Sequence, residues 1–414
     1  MAVIKAFKSI RPEKELAGKV AALPYDVYNT EEAIEAVKGN PYSFLHIDKS
    51  EIDLPSDTDP YSEEVYLKAR STMDSFTEKG IFIQDDTPKL YIYRLIMDGR
   101  IQTGLVCCSA IDDYINGTIK RHELTREDKE KDRINHVDYC DANTGPIFLT
   151  YESKKNINAI VESWTGKQTP EYDFVTEDGI THQVWIIDNP ETIETLVDEF
   201  DKIPSTYIAD GHHRTASAVK VGLKRRESNP NHTGNEEYNF FLSVLFPHDQ
   251  LYIMDYNRVV KDLNSMTTDE FISKLEEVMD VESSGSQPFK PSQKGEIGLY
   301  LDDTWYRLTV KENTVDYKDP VASLDVSILQ ESVLKPLLGI GDIRTDKRID
   351  FVGGIRGLKE LERRCKIDMK LAFAMYPTSI KELMAISDAG LLMPPKSTWF
   401  EPKLRSGIFI HQLT

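Results

Sequence analysis

Cysteine is scarce in this 414-residue sequence: Cys107, Cys108, Cys140 and Cys365 are all there is, and no two form a Cys-x-x-Cys pair. That spacing argues against a zinc site or a disulfide framework and leaves reduced, partly buried thiols as the expectation. Long apolar runs are missing too. None approaches the ~18 residues that span a bilayer, and the opening MAVIKAFKSIRPEKELAGKV scatters charges where an export signal needs an apolar centre. A cytoplasmic protein with no membrane partner is expected. Positive charge is in deficit, with 50 Lys+Arg against 69 Asp+Glu and a net charge of −19, so nucleic acid is not an expected partner either. Repeats and low-complexity tracts are absent. What is present, 40% hydrophobic and 29% charged residues, is an ordinary globular mixture. The chain is too long for one core and predicts two domains.

Turn and helix signals give the organisation. NTEEAIEAVKGNP carries an acidic first turn and a Gly-Asn-Pro stop, and DPYSEEVYLKARSTMDSFTEKG reads as an amphipathic helix closed by Gly80. YSFLHID between them predicts a short strand. KLYIYRLIM and IQTGLVCCSAI, joined by Asp98-Gly99, predict a hairpin. Strands are expected at HQVWIID, STYIAD, FFLSVLFP and LAFAMYP, and a second hairpin at GEIGLYLDDTWYRLTV. Helices are expected at PETIETLVDEFDKI, VSILQESVLKPLLGI and TSIKELMAISDAG. RRESNPNHTGNEEYN, polar and rich in Asn, Pro and Gly, is the best linker candidate and puts the domain boundary at 232/233. Helices and hairpins alternate without a steady βαβ rhythm, which favours an α+β fold.

YIADGHHRTASAV, residues 207–219, is the first concentration of chemistry. An apolar strand stops at Asp210-Gly211, and a helix with Ala216, Val219 and Leu223 on one face begins near His212. Asp210 is expected to cap it, and Gly211 to permit a tight turn and close approach by a ligand. The first-turn N–H groups and the positive dipole end would then hold an anion, with His212, His213, Arg214 and Thr215 beside it and the Arg214 fork gripping two oxygens. Adjacent histidines on a helix diverge by about 100°, so no metal site is assigned to them.

The second concentration is GTIKRHELTREDKEKDRINH, residues 117–136. Thr125 and Asp128 resemble a capping box, which leaves Arg121, His122 and Glu123 in a turn between strand and helix. Glu123 is the candidate proton acceptor. Lys129 and Arg133, and Asp132 and His136, are four apart; a solvated face is the expectation for Lys129, Glu130 and Asp132. Arg121, His122, Arg133 and His136 are candidate ligand contacts. PPKSTWFEPK near the end lacks the glycines of a phosphate-binding loop, so it reads as a Pro-bounded turn that packs Trp399 and Phe400, with Lys396 and Lys403 within possible reach of phosphates. Pro24-Tyr25-Asp26 and Asn40-Pro41 are turn formers first, and Tyr25, Asp26 and His46 are given no role.

Three strings, IKRHELTREDKEKDRINH, YIADGHHRTASA and MPPKSTWFEPKLRSG, closely resemble the bacterial and archaeal domain-of-unknown-function 1015 family. RPEKELAGKVAALPYDVY, NPYSFLHIDKSEIDLP and DFVGG extend the resemblance over nearly the whole chain. The Asp-Gly-His-His-Arg string is also similar to the phosphate-binding motif of the ParB/sulfiredoxin-like fold, particularly in free-serine kinases. That resemblance implies a ParB/sulfiredoxin-like core at about 105–225 with an additional C-terminal α/β domain. It gives Glu123 the position of catalytic base, with His212 beside it, and Asp210 to Arg214 the nucleotide and phosphate positions. Glu123 and Asp210 lie 87 residues apart, so an inserted helix-strand unit must fold out of the way.

The function expected is a phosphotransferase using ATP or ADP with Mg²⁺ on a small hydroxylated metabolite such as serine. The alternatives are a ParB-type nucleotide switch that does not bind DNA, and a metal-dependent hydrolase built on the histidines.

Overall fold

The structure, a computed structural model, describes residues 1–311 and 315–414. Two units emerge, each built on its own sheet: Met1–Arg121, Thr125–Leu251 and Pro402–Thr414 form the first, and His122–Leu124 with Tyr252–Glu401 the second.

The first unit's strands are β1 (Ile4–Lys5), β2 (Leu90–Met97), β3 (Arg100–Ala110), β4 (Ile119–Lys120), β5 (Ile147–Tyr151), β6 (Tyr172–Val175), β7 (Thr181–Ile187), β8 (Thr206–Asp210) and β9 (Phe240–Pro247). They form a nine-stranded mixed sheet in the order β4-β8-β5-β9-β3-β2-β7-β6, with β1 beside β3. The pairs β4·β8 and β5·β9 are parallel and the others antiparallel. Asp98 and Gly99 both take positive φ, 51° and 78°, as the primed turn of the predicted β2–β3 hairpin requires.

Its principal helices are α1 (Thr30–Ala36), α2 (Glu63–Glu78), α3 (Glu127–Cys140), α4 (Lys155–Lys167), α5 (Pro190–Asp201) and α6 (His212–Ser228). Asn29 and Glu32 close a capping box on α1, and Asn189 with Pro190 starts α5. Leu90, Ile92, Leu105, Cys107, Leu149 and Phe241 share one core with Ile157, Leu196 and Phe200 of α4 and α5. The last residues return to this unit: Ile408, Phe409 and Ile410 are fully buried, and His411–Gln412 pairs with Ala142–Asn143.

The second unit carries a six-stranded antiparallel sheet of β10 (Tyr256–Val260), β11 (Met279–Gly285), β12 (Glu296–Leu301), β13 (Thr304–Val310), β14 (Ile349–Gly353) and β15 (Leu371–Ala374), ordered β11-β13-β12-β15-β10-β14. Its principal helices are α7 (Thr268–Val278), α8 (Asp325–Leu329), α9 (Leu358–Ile367) and α10 (Ile380–Asp388). After α8 the chain makes one wide turn over Gln330–Leu334, with Lys335 N–H bonded to Gln330 O, before Pro336 ends the ladder.

Two expectations are corrected here. The segment 225–239 does not separate the units. It leads from α6 into β9, which lies between β5 and β3 inside the first sheet, so the boundary follows Leu251 rather than residue 232. YSFLHID forms a short helix, Leu45–Asp48, in which Asp48 N–H reaches Phe44 O; a short buried apolar run fits either helix or strand.

Candidate active site

The 207–219 stretch does form a strand, a tight turn and a helix. Gly211 (φ 98°, ψ 32°) is the N-cap of α6, and a methyl group on it would meet the Arg214 guanidinium at 3.2 Å. Asp210 is therefore not the cap. Register slips between Ile208 and Asp210 opposite β5, and such a bulge re-aims a side chain. The Asp210 carboxylate instead meets Arg214 Nη2 at 3.2 Å and Lys403 Nζ at 3.6 Å. Gly211, as the N-cap residue, supplies no side-chain cap bond of its own.

Three of the predicted contacts have work inside the fold. Thr215 Oγ1 donates to Gly211 O at 3.0 Å and is fully buried, so its hydroxyl closes the helix's own first turn instead of meeting a phosphate. Arg214 donates through Nη1 to Pro146 O at 2.6 Å as well as to Asp210; its fork fastens the turn to the loop before β5. His213 Nε2 accepts the Arg126 backbone N–H at 2.9 Å, so this ring is neutral with its proton on Nδ1. His212 is buried.

Helix α3 departs further from expectation. It starts at Glu127 with Arg126 as N-cap, Thr125 donates to Glu130 at 2.8 Å, and Asp128 pairs with Arg126, so the Thr125/Asp128 capping box does not form. Glu130, Asp132, Arg133 and His136 are buried rather than solvated. Burial pushes the Glu130 carboxyl up, but Lys220 and Thr125 more than offset it, and Glu130 stays below the usual carboxylate range. Lys129 does reach outward, to Tyr61 OH.

Of the four buried residues, Arg133 and His136 line a cleft together with Tyr25, Asp48, Asn143, Thr144, Gly145 and Arg214. Arg133 pairs with Asp132 at 2.9 Å and lies 4.0 Å from the Tyr25 ring centroid. Burial pulls its pKa down, yet Asp132, Tyr25 and Asp48 outweigh that and keep it charged. His136 is held neutral by burial and then by Arg133, and donates Nε2–H to Ile47 O at 3.1 Å. Asp48 accepts from Thr144 Oγ1 at 3.0 Å. Burial, then Asp26, pushes the Tyr25 hydroxyl up, so it remains a neutral donor. Sequence reasoning gave Tyr25 and Asp48 no role. The signal available for them was the Pro-Tyr-Asp turn and an aspartate inside an apolar run. His46 pairs with Asp53 at 2.9 Å and does not line the cleft.

Arg121 belongs to the first unit and donates to Tyr114 OH at 3.3 Å. His122 and Glu123 group with the second. There His122 is buried, its carbonyl accepts Met393 N–H at 2.8 Å, and its Nε2 lies 3.5 Å from Thr398 Oγ1, so the two unusual strings of the sequence meet. Glu123 is half-buried. Lys396 sits at φ 59° with its carbonyl on Arg258 Nη2 at 3.0 Å and its ammonium 5.7 Å from the Tyr256 ring centroid. The tail is the rigid turn expected of it: Ser397 Oγ donates to Pro394 O, and Trp399–Glu401 pairs with Tyr252–Met254.

The family model described as "Protein of unknown function (DUF1015)" matches residues 4–327. No curated protein matches the sequence. Among solved structures, the chain is distantly similar to SbnI with a C-terminal truncation from Staphylococcus aureus, at 11% identity and a TM-score of 0.39, over 73% of this chain and 85% of that one. A free serine kinase in complex with AMP follows at 14% and 0.34, over 72% and 86%. A conserved hypothetical protein from Pyrococcus furiosus gives 16% and 0.35, over 74% and 94%.

Proposed function

Because the chain belongs to the DUF1015 family, whose description names no activity, we propose a function from its own residues. It is a nucleotide-dependent phosphotransferase, using ATP or ADP, that acts on the hydroxyl of a small metabolite such as free serine. The observation that carries this reading is the 2.9 Å hydrogen bond from Arg126 N–H to His213 Nε2. It ties the segment just after Glu123 to the first turn of α6.

In this reading the nucleotide phosphates lie at the start of α6. Gly211 lets the backbone come close, and the first-turn amides and the helix dipole face the negative charge. His213 stands in the same first turn. Arg214 and Asp210 hold the turn in shape, and His212 stays beside it. The acceptor hydroxyl oxygen attacks the terminal phosphorus, an O–P bond forms, the bridging O–P bond to the nucleotide breaks, and Glu123 takes the hydroxyl proton. Asp210 does not suit Mg²⁺, since its two oxygens already face Arg214 and Lys403. No step is assigned to the metal.

The test is to incubate the protein with Mg²⁺, labelled ATP or ADP and a panel of hydroxylated metabolites led by L-serine. A phosphorylated acceptor is expected, and Glu123→Gln should lower turnover by roughly 10²–10⁴-fold while nucleotide affinity is kept. No product with any acceptor, or full turnover in Glu123→Gln, overturns the proposal. Nucleotide hydrolysis without an acceptor would favour the ParB-type switch.

A further inference from the structure

Arg94 occupies a position where the packed face of the first sheet calls for an apolar side chain. Leu90 and Ile92, at the same parity on β2, are fully buried, and Thr103, the residue paired with Arg94 across the hairpin, is followed at that parity by Leu105 and Cys107. The guanidinium lies 4.8 Å from the Trp185 ring centroid, donates through Nε to Thr103 Oγ1 at 3.0 Å, and through Nη2 to Thr165 Oγ1 at 3.2 Å. Among the described residues no carboxylate stands within ion-pair distance, and burial alone lowers its pKa with no acidic neighbour to raise it again. A half-buried cation without a counter-charge is unfavourable.

Beside this group a cavity of about 260 Å³ opens, with Leu105, Val161 and Pro247 as apolar walls and Asn158, Glu162 and Gln250 among its polar lining. A single water needs roughly 10–15 Å³ on this scale, so the space suits an organic molecule. One uncompensated positive charge matches one negative charge. Glu162 in the lining disfavours a second, which argues against a phosphate dianion. We propose that this cavity binds a small monocarboxylate with an apolar body, its carboxylate on the guanidinium edge left by the two threonines and its body against Leu105, Val161 and Pro247. Nothing in this assignment uses the start of α6 or Glu123.

The experiment is titration calorimetry of the full chain with hexanoate, hexanol and inorganic phosphate. Hexanoate should bind once per chain, hexanol roughly tenfold more weakly or worse, as expected on losing a charge-assisted hydrogen bond, and phosphate not at all. Arg94→Met should erase the preference for hexanoate over hexanol, and Val161→Phe, which fills the cavity, should abolish both. Equal binding of hexanoate and hexanol, no hexanoate binding at millimolar concentration, tighter binding of phosphate, or a preference that survives Arg94→Met overturns the site. Should Arg94→Met fail to fold, hexanoate binding retained in Val161→Phe does the same. Product formation from labelled nucleotide reports on the other site, so the two readings fail separately.

Discussion

His182 shows how a single buried ring ties stability to pH. It is fully buried, its Nδ1 lies 2.7 Å from Tyr93 OH, its Nε2 lies 3.1 Å from Thr176 Oγ1, and burial, then Arg405, pushes its pKa down to about 3. In the unfolded chain the ring titrates near ~6.5. As pH falls through that value the unfolded state takes up a proton that the folded state refuses, so stability is lost progressively down to about 3. The urea midpoint should therefore fall between pH 7 and pH 4.5, and His182→Gln should flatten that slope; parallel slopes in the two proteins would remove His182 as its source. Other single residues were legible to different degrees. The need for glycine at 211 follows from the turn itself, but Thr215 and Asp210 offer hydroxyl and carboxylate oxygens that serve a backbone or a ligand equally well. Only the register slip in β8 and the Thr215 bond to Gly211 O decide which.

Among the elements, those with local signals were the readable ones. The β2–β3 hairpin is written in Asp98-Gly99, and α1 and α10 in their capping boxes. Helix α3 was readable as a helix but the burial of its charges was not, because partners distant in sequence bury them: Asp132 meets Tyr66 of α2, Glu130 O meets Ser217 of α6, and Arg133 meets Tyr25. No periodicity within EDKEKDRINH announces that. A consequence is testable. Arg133→Met keeps the volume but leaves Asp132 and Asp48 buried without their cation, and should destabilise the protein by about 3–5 kcal/mol in urea unfolding. A loss below about 1 kcal/mol would mean that the cleft solvates these carboxylates by itself.

On the scale of the whole chain, sequence composition suggested a break where the polar segment 225–239 falls, yet composition does not encode which strand completes a sheet. Phe240–Pro247 follows that segment and is internal to the first sheet. Equally hidden was the return of the tail. Ile410 bridges Ile10, Ser406 bridges Ala22, and Gly407 (φ 85°) comes so near Phe44 that a methyl there would meet its ring at 2.6 Å. A chain ending at Glu401 should consequently lose the first unit's cooperative thermal transition, and a synthetic peptide of residues 402–414 added in excess should restore part of it. Retention of the full transition without the peptide would show that the tail only decorates that unit.

The return of residues 402–414 also bears on how the protein comes to exist during translation. Ribosomes deliver the nine strands of the larger sheet long before the segment that seals the core beneath Phe44, and the entire second unit must be polymerised in the interval. Nascent chains would therefore carry an unfinished first unit while residues 252–401 are polymerised, a window in which holdase chaperones and proteases should find it open.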